Sequence, residues 1–347
     1  MLRTLDANSR MQSGSIPRGA PRRYQNPDHL ASMEPPVNGA GTSFPINLTV
    51  VERVLGRTPA VAIGQYRCPV RHAQFAGGGP QLCRYIVFPR RPVRIHVEGG
   101  EPEVAAPGLL RFYDVGDRYR RFALGAQPDE SDWIAIAPQV LEDLAAGSPG
   151  AFESASQRFT ARSAPASAWL GLAQRRVFAR AARASAADAL GMEEAVLDLV
   201  GRSLEEAAAA WRGAVRSPRA ARVPSERRRR RIAEQAKEIL ALDPALDLTV
   251  TQVAAQVHCS VAHLSRVFRR HTGSTLHAYR QKIRLHYALQ LIEDGAESLV
   301  DVAAMTGFSS HSHMTSAFRR HFDALPSSVQ SAAQRSSEAP RGWRLAV

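Results

Sequence analysis

Two segments near the carboxyl end of the chain repeat one pattern of apolar and polar positions. Each opens with a serine, at Ser260 and Ser310, and each closes on Phe-Arg-Arg-His. The serine hydroxyl can cap a helix by accepting a hydrogen bond from a backbone amide. The i, i+3, i+4 spacing of the apolar residues predicts two amphipathic helices, over about 260–271 and 310–321. These apolar residues are Leu264, Val267 and Phe268 in the first copy, and Met314, Ala317 and Phe318 in the second.

The stretch before each of these helices repeats as well. Residues 249–255 match 298–304, and the second copy has one residue more before its serine-headed helix. We expect the extra residue to lie in a turn, because turns tolerate insertions. Gly307 in the second turn suits a positive φ angle, and His258 stands at the matching place in the first. The sequence therefore predicts a short helix, a tight turn and a second helix in each copy.

Two such units form a tandem helix-turn-helix. Between them, about residues 275–292 carry apolar side chains at helical spacing and end at Glu-Asp-Gly. A helix of about 18 residues is about 27 Å long. It can hold two recognition helices near one turn of B-DNA apart, roughly 34 Å, so that both enter successive major grooves.

These residues resemble the AraC/XylS family of transcription regulators. The likeness covers about residues 225–330 and is carried by segments 264–273, 279–285 and 307–320. It implies a bacterial, sequence-specific DNA-binding regulator. Three positions depart from the family pattern: Ser316 replaces a common base-contacting Arg, Met314 replaces an aromatic residue, and Asp323 stands where Gly is commoner.

The resemblance also implies which side chains contact DNA. Arg266 is the foremost candidate, because a guanidinium can bind guanine O6 and N7 with two hydrogen bonds. Arginines near the helix ends are expected to hold phosphates, which fix the register on DNA without reading sequence. The expected base contacts are Ala262, Ser265, Arg266, Ser312, His313 and Ser316, and the expected phosphate contacts are Arg269, Arg270, Arg280, Arg319 and Arg320.

The part of the chain between about residues 45 and 136 has the pattern of β-strands. Residues 93–98 alternate strictly between apolar and polar, and 82–88, 109–113 and 133–137 are further candidate strands. Short strands with regular turns predict a small barrel or sandwich. Segments 87–90, 106–109 and 112–119 resemble, more weakly, the cupin-like sensing domain of many AraC-type proteins. We therefore expect the barrel to sense an effector or to mediate dimerisation.

Cys68, His72 and Cys83 in this region allow two interpretations. Thiolate and imidazole are good zinc ligands, but the spacing is irregular and a fourth ligand is not evident. Ordinary packing and surface positions are the favoured alternative. We predict no metal, no cofactor and no catalytic residue, since no nucleophile set is evident.

The fold class predicted is α+β multidomain. Residues 1–45 are expected to be a disordered segment, 46–145 a cupin-like β-barrel, 146–222 a helical connector and linker, 223–330 an all-α domain with two helix-turn-helix motifs, and 331–347 a tail. The connector is interpreted either as a dimer surface or as a spacer that packs on the barrel. Five consecutive arginines at 227–231 are expected either near phosphate or on a solvated helix face.

Charge supports a polyanionic partner. The net charge is +13, and residues 221–347 carry 18 Lys/Arg against 11 Asp/Glu. Three cysteines without a CxxC pair suit a reducing cytoplasm, and no apolar run is long enough to span a membrane. We expect a cytoplasmic, nucleoid-associated protein that binds double-stranded DNA, with RNA polymerase, a small-molecule effector and a second copy of the chain as candidate partners.

Two rival functions remain open at this point. In one, the barrel is an enzyme fused to a DNA anchor, which would require a set of catalytic residues. In the other, the protein is an architectural DNA binder without a preferred sequence, which strong sequence preference would exclude.

Overall fold

The amino-terminal half of the described chain is built from nine β-strands in two antiparallel sheets. The computed structural model describes residues 52–77, 79–153, 158–183, 188–214 and 224–335. The larger sheet has the order β1-β2-β8-β3-β6-β9, and the smaller has the order β5-β4-β7. The strands are β1 Glu52–Arg57, β2 Val61–Cys68, β3 Arg84–Pro89, β4 Val93–Val97, β5 Glu103–Ala105, β6 Leu109–Tyr113, β7 Tyr119–Phe122, β8 Asp129–Ile136 and β9 Ser163–Pro165.

The larger sheet is buried on both of its faces. On β8, Trp133 and Ala135 pack toward the smaller sheet, whereas Ile134 and Ile136 pack in a separate core on the opposite face. A strand that is covered on both sides needs a continuous apolar run, which explains the run that the sequence shows here. The domain therefore has three layers: the small sheet, the large sheet and a layer of helices.

The predicted β-rich domain is confirmed, but its described strands form two sheets and not a closed barrel. No hydrogen-bonded ladder among the described strands joins the larger sheet to the smaller one. The strands β5 and β7 are only 3 and 4 residues long, so the small sheet offers little backbone for further pairing. The sheets are held together by the side chains between them.

Four of these strands were predicted individually: β3, β4, β6 and β8. The strand β4 shows the expected alternation of buried and half-buried residues. The strand β9 lies inside the stretch that was predicted to be a helical connector, and that part of the prediction is wrong. A strand of 3 residues is too short to carry a periodic signal, and only its pairing with β6 defines it.

Three helices follow or interrupt this region: α1 Leu141–Gly147, after a 3-10 turn at Pro138–Val140, then α2 Ala168–Ala181 and α3 Ala189–Ala214. Leu170 and Phe178 of α2 and Val196 and Leu199 of α3 share a core with the larger sheet. The connector therefore packs on the sheets, as one of the two interpretations expected. Its role in dimerisation stays a prediction.

Seven further helices form the carboxy-terminal domain within the described residues. They are α4 Pro224–Leu242, α5 Val250–Gln256, α6 Val261–Thr272, α7 Leu276–Glu293, α8 Leu299–Met305, α9 His311–Phe322 and α10 Pro326–Arg335. The helices expected over 260–271, 275–292 and 310–321 are confirmed as α6, α7 and α9. The segment 1–45 and most of the expected linker and tail lie outside the described residues.

Two apolar cores lie side by side in this domain, and α7 contributes to both. Its first half supplies Tyr279 and Ile283 to the core that holds α4, α5 and α6. Its second half supplies Leu289 and Ile292 to the core that holds α8 and α9. The two helix-turn-helix units are therefore fixed to one rod.

The β-rich domain docks on α7 through buried polar contacts. Lys282 donates from Nζ to the carbonyl oxygens of Gly108 (3.0 Å) and Ala166 (3.2 Å). Arg175 of α2 donates to Gln290 Oε1 at 3.0 Å and pairs with Glu293 at 2.8 Å. Such contacts are directional, so they fix the orientation of α7 against the sheets.

The helix α4 makes a second set of contacts with the β-rich domain. Glu234 accepts a hydrogen bond from the Val104 amide at 2.8 Å, and Glu238 pairs with Arg94 at 2.6 Å. Arg230 pairs with Glu103. The edge of the small sheet is thus covered by the first helix of the carboxy-terminal domain.

Two histidines are packed beside Lys282. The His286 ring lies edge-on to the His321 ring, with centroids 5.6 Å apart. Burial lowers the pKa of His286 well below its usual value, and nearby Lys282, His321 and Arg175 lower it further. Burial, with a contribution from Lys282, lowers the pKa of His321 to about 4. Both rings are neutral in the folded protein at pH 7.

Acid should therefore destabilise the fold through these two rings. Histidines of an unfolded chain titrate near about pH 6.5, so protons favour the unfolded chain below that value. The stabilisation is complete above about pH 6.5 and is lost as the pH falls toward about 4. Urea unfolding at pH 7 and 4.5 measures this effect. The unfolding free energy of His321→Gln should fall by about 2 kcal/mol less than that of the unsubstituted protein, after a small reduction for solvent screening of the half-buried ring.

His277→Gln is the matched control, because His277 is exposed on the same α7 helix. It should follow the unsubstituted protein at both pH values. Equal acid sensitivity of His321→Gln and the unsubstituted protein would contradict the assignment.

Candidate nucleic-acid interface

The helix α6 is fixed at both ends by local hydrogen bonds. The Ser260 hydroxyl accepts a hydrogen bond from the His263 amide at 3.2 Å, and Gly273 ends the helix with a φ of 72°. One stripe of α6 is buried, and it consists of the predicted residues Leu264, Val267 and Phe268. The opposite face is consequently turned to solvent.

That exposed face carries the residues expected to contact bases. Ala262, Ser265 and Arg266 are all exposed, and Arg269 continues the same face one turn later. Within the described chain, no ion pair or hydrogen bond engages the Arg266 guanidinium. Arg266 is therefore free to donate several hydrogen bonds to one ligand.

The helix α9 repeats this construction. Ser310 accepts a hydrogen bond from the His313 amide at 3.1 Å. Asp323 ends the helix with a φ of 52°, at the position that Gly273 occupies in the first copy. A residue with a short polar side chain tolerates this conformation better than most others, so the departure from Gly at this position leaves the helix end intact.

The exposed face of α9 holds the second predicted set. Ser312, His313 and Ser316 are all exposed, and Arg319 follows Ser316 by one turn. His313 is partly engaged, because its Nδ1 lies 3.1 Å from the Ser309 hydroxyl. The face of α9 offers hydroxyl and imidazole groups where α6 offers a guanidinium.

The predicted phosphate-binding arginines fall into two groups. Arg269, Arg319 and Arg320 are exposed at the ends of α6 and α9. Arg270 is also exposed, and it approaches Glu226 at 3.5 Å. These four arginines are available to a polyanion.

Arg280 is different, because its guanidinium is engaged inside the domain. It donates to the Leu248 carbonyl at 2.6 Å and pairs with Asp247 at 3.2 Å, and its side chain is 15% exposed. The structure does not bring Arg280 together with the other arginines. A phosphate contact by Arg280 would require it to give up these bonds.

The run of five arginines at 227–231 opens α4 and divides in the same way. Arg229 pairs with Glu226 at 2.8 Å, and Arg230 pairs with Glu103. Arg227, Arg228 and Arg231 are exposed. The run thus serves the docking of α4 as well as the basic surface.

The thiols at the proposed zinc or redox positions are packed into the β-rich core. Cys68 and Cys83 are 0% and 3% exposed. Burial raises the pKa of Cys83 to about 11, so this group stays a thiol at neutral pH. Among the described residues, no cluster of three or more His, Cys, Asp or Glu side chains could hold a metal.

The polar stripe on α7 was not identified from sequence. Lys282, His286, Gln290 and Glu293 recur at steps of three or four residues, and they face the β-rich domain. Their spacing of three or four residues along one helix was the available signal. It was obscured because a polar stripe usually marks solvent.

Comparison with known proteins agrees with this geometry. A family model described as a helix-turn-helix domain matches residues 253–332. The regulator GlxA of Rhizobium meliloti is 40% identical over 91 residues, which cover 26% of this chain and 27% of GlxA. Residues 253–332 are therefore similar to a helix-turn-helix domain, and part of the chain is similar to an HTH-type transcription regulator.

Other relatives match over a similar share of the chain. The transcriptional activator RhaS of Klebsiella pneumoniae is 34% identical over 25% of this chain and 31% of its own length. The probable transcription factor PqrA of Proteus vulgaris is 34% identical over 23% of this chain and 65% of its own length. The chain thus spans about a quarter to a third of GlxA and RhaS.

Solved structures were also found. An AraC-type regulator from Chromobacterium violaceum has 26% identity and covers 33% of this chain and 96% of its own, with a TM-score of 0.29. The DNA-binding domain of AdpA, solved with a target DNA, has 25% identity and covers 32% and 97%, with a TM-score of 0.28. Both TM-scores are below 0.5. No described helix has both the length and the apolar character needed to cross a bilayer.

The turns inside the two helix-turn-helix units differ by one residue, as predicted. Four residues separate α5 from α6 and five separate α8 from α9. Both turns contain a left-handed residue, His258 with a φ of 53° and Gly307 with a φ of 76°. A side chain on Gly307 would meet Ala245, whose carbonyl oxygen would lie 2.7 Å from the new Cβ.

Opposite substitutions at these two positions should have opposite effects on stability. We expect His258→Gly to raise the free energy of unfolding by about 1 kcal/mol, because glycine removes left-handed strain. Gly307→Ala should lower it by about 2 kcal/mol or more, because it adds that strain and a backbone clash. Urea unfolding measures both.

Gly201→Ala serves as the control, since Gly201 lies within α3 with nothing within 4 Å of the added carbon. It should raise stability slightly. A stable Gly307→Ala protein would show that the turn does not require glycine.

Proposed function

We propose that this chain is a non-enzymatic, sequence-specific DNA-binding transcription regulator of the AraC type. One observation carries the proposal: all six expected base-contacting side chains are exposed on two capped helices of an AraC-type domain. Fixed, solvent-facing side chains on a helix suit reading of base edges in the major groove. The named relatives of the domain are bacterial transcription regulators, which supports the same role.

Insertion of α6 and α9 into successive major grooves is part of this proposal. The helix α7 has 18 residues, which makes it about 27 Å long. That length is close to one turn of B-DNA, roughly 34 Å. Because α7 belongs to the cores of both units, the helices would present a fixed spacing to DNA.

The two helices are proposed to differ in how strongly they read bases. Arg266 on α6 can form two hydrogen bonds to a guanine, worth about 1–3 kcal/mol of discrimination. Ser316 on α9 is too short to span such a contact with two donors. Arg269, Arg270, Arg319 and Arg320 are proposed to hold phosphates, with Arg280 as a further contact if its internal bonds break.

The remaining assignments concern the rest of the chain. We propose that residues 46–145 are a cupin-like domain that senses an effector or mediates dimerisation, that 146–222 join it to the DNA-binding domain at 223–330, and that segments 1–45 and 331–347 flank them. The two cores that the larger sheet forms, one with the smaller sheet and one with α2 and α3, support an amino-terminal sensing domain. A second copy of the chain and RNA polymerase are proposed partners, and the bacterial cytoplasm at the nucleoid is the proposed location.

Arg266→Ala tests the base-reading role. Loss of the guanidinium should weaken binding to a selected site by about 1–3 kcal/mol and relax the preference at one base pair. Titration of the purified protein with a panel of duplexes, one substitution at each position, measures both effects.

Arg269→Ala is the matched control on the same helix. It should weaken binding to all duplexes alike and reduce the salt dependence by about one phosphate contact. Unchanged affinity and unchanged preference in Arg266→Ala would contradict the proposal that α6 reads bases.

A further inference from the structure

Ser309 and His313 form a hydrogen-bonded pair at the start of α9. The Ser309 hydroxyl lies 3.1 Å from Nδ1 of the His313 ring. Ser309 comes directly before the capping residue Ser310, and His313 is the third residue of the helix. Both members of the pair are exposed. The first residues of a recognition helix are those that contact base edges, so the pair lies at the end of α9 where we expect reading to occur.

A second contact holds the His313 ring. It stands edge-on to the Phe308 ring, with centroids 5.5 Å apart and an interplanar angle of 86°. Phe308 is 7% exposed and belongs to the core that α7, α8 and α9 share. A ring that is held by a buried aromatic ring and by a hydroxyl loses less conformational freedom when it binds a ligand. His313 is therefore oriented before DNA is bound.

The His313 ring offers one of its two nitrogens to a ligand. Nδ1 faces Ser309, and within the described chain no hydrogen bond engages Nε2. The Ser309 hydroxyl has one proton to donate, and Nδ1 is its acceptor among the described residues. When Nδ1 of a neutral imidazole accepts, the N–H of the ring is at Nε2. His313 then presents a single hydrogen-bond donor to solvent.

The other histidine at this end of α9 is engaged differently. His311 is half-buried, and its Nε2 lies 3.3 Å from the Thr315 hydroxyl on the same helix. The nitrogen that His313 leaves open is thus already engaged in His311. His313 is therefore the better placed of the two imidazoles to donate to a base.

The first helix-turn-helix unit lacks this pair. Cys259 stands at the position of Ser309, and His263 stands at the position of His313. His263 is half-buried, and no hydrogen bond engages its ring among the residues that the structure describes. The helix α6 carries Arg266 where α9 has a serine. The two copies thus expose different donors, a guanidinium on α6 and an oriented imidazole on α9.

A single donor at a fixed place favours one class of base. In the major groove, guanine and adenine both present N7 as an acceptor, whereas cytosine presents the N4 donor. One N–H can therefore favour a purine over a cytosine without separating guanine from adenine. A bidentate arginine, by contrast, can select guanine alone.

We propose that His313 reads one purine of the DNA sequence under α9 by donating from Nε2 to the purine N7, and that Ser309 is the positioning residue that fixes this tautomer. The inference deepens the proposed function and rests on it. It makes His313, and not Ser316, the residue that decides the base preference of α9.

The test is titration of the full chain with a duplex site that has been selected from a random pool. Each purine of the box bound by α9, on either strand, is replaced in turn by its 7-deaza analogue, in which a C–H takes the place of N7. At one position, we expect the 7-deaza purine to weaken binding about twofold to tenfold, which corresponds to the loss of one neutral hydrogen bond. Replacement of that purine by cytosine should weaken binding at least as much.

Variants of the pair show whether the effect passes through the ring. With His313→Ala, the natural and the 7-deaza duplexes should bind alike. Ser309→Ala should shrink the difference between them, because the ring is no longer oriented, and Ser309→Thr should restore it, because threonine keeps the hydroxyl. When His313 is already alanine, Ser309→Ala should have no further effect on base preference at that position.

Ser310→Ala is the control for a purely structural role. Ser310 accepts a hydrogen bond from the His313 amide at 3.1 Å, so its substitution removes the cap of α9. This variant should be less stable and should bind the natural and the 7-deaza duplexes more weakly by the same factor. Circular dichroism and thermal unfolding verify that each variant is folded.

Equal binding of the natural and of every 7-deaza duplex by the unsubstituted protein overturns the proposal. So does an undiminished difference in folded Ser309→Ala, an effect of Ser309→Ala that persists without the His313 ring, or a selected site that lacks a box under α9. The Arg266→Ala titration separates this claim from the proposed function. Base preference under α6 alone refutes only the role of the pair, whereas absence of any base preference refutes the sequence-specific regulator as well.

Discussion

The shared burial of α6 and α9 against α7 is the constraint on which the carboxy-terminal domain depends. Neither recognition helix has an apolar core of its own: each buries one stripe, and α7 provides a wall for both. The packing of the buried stripe against α7 therefore determines which side of each helix faces solvent. A residue such as Arg266 has a defined position because Leu264, Val267 and Phe268 leave its helix only one orientation.

Much of this half could be predicted from sequence because its signals are local. Serine caps, apolar spacing and the extra residue in the second turn are properties of neighbouring residues, and α6, α7 and α9 appear where expected. The sheets depend instead on pairing between distant residues. The strand β9 is defined only by its pairing with β6. The division of the strands into two sheets also depends on pairing, and the sequence of a single strand does not indicate which sheet it joins.

The candidate site shows the same division. Exposure of Ser312 or Arg266 follows from position on an amphipathic helix, whereas the engagement of Arg280 with Leu248 and Asp247 is a tertiary contact. The polar stripe of α7 was hidden for a similar reason, since it faces another domain and not water. One helix thus packs against α6 and α9 on some faces and contacts the β-rich domain on another.

Selection of bound sequences from a random duplex pool, with the purified full chain at about 0.15 M salt, tests the central claim most directly. Because α7 fixes the spacing of α6 and α9, we expect two enriched sequence boxes with their centres about one helical turn apart. The box bound by α6 should be more strongly enriched and should require Arg266, and the box bound by α9 should be weaker. Enrichment of no sequence, or of two boxes at variable spacing, would contradict the account.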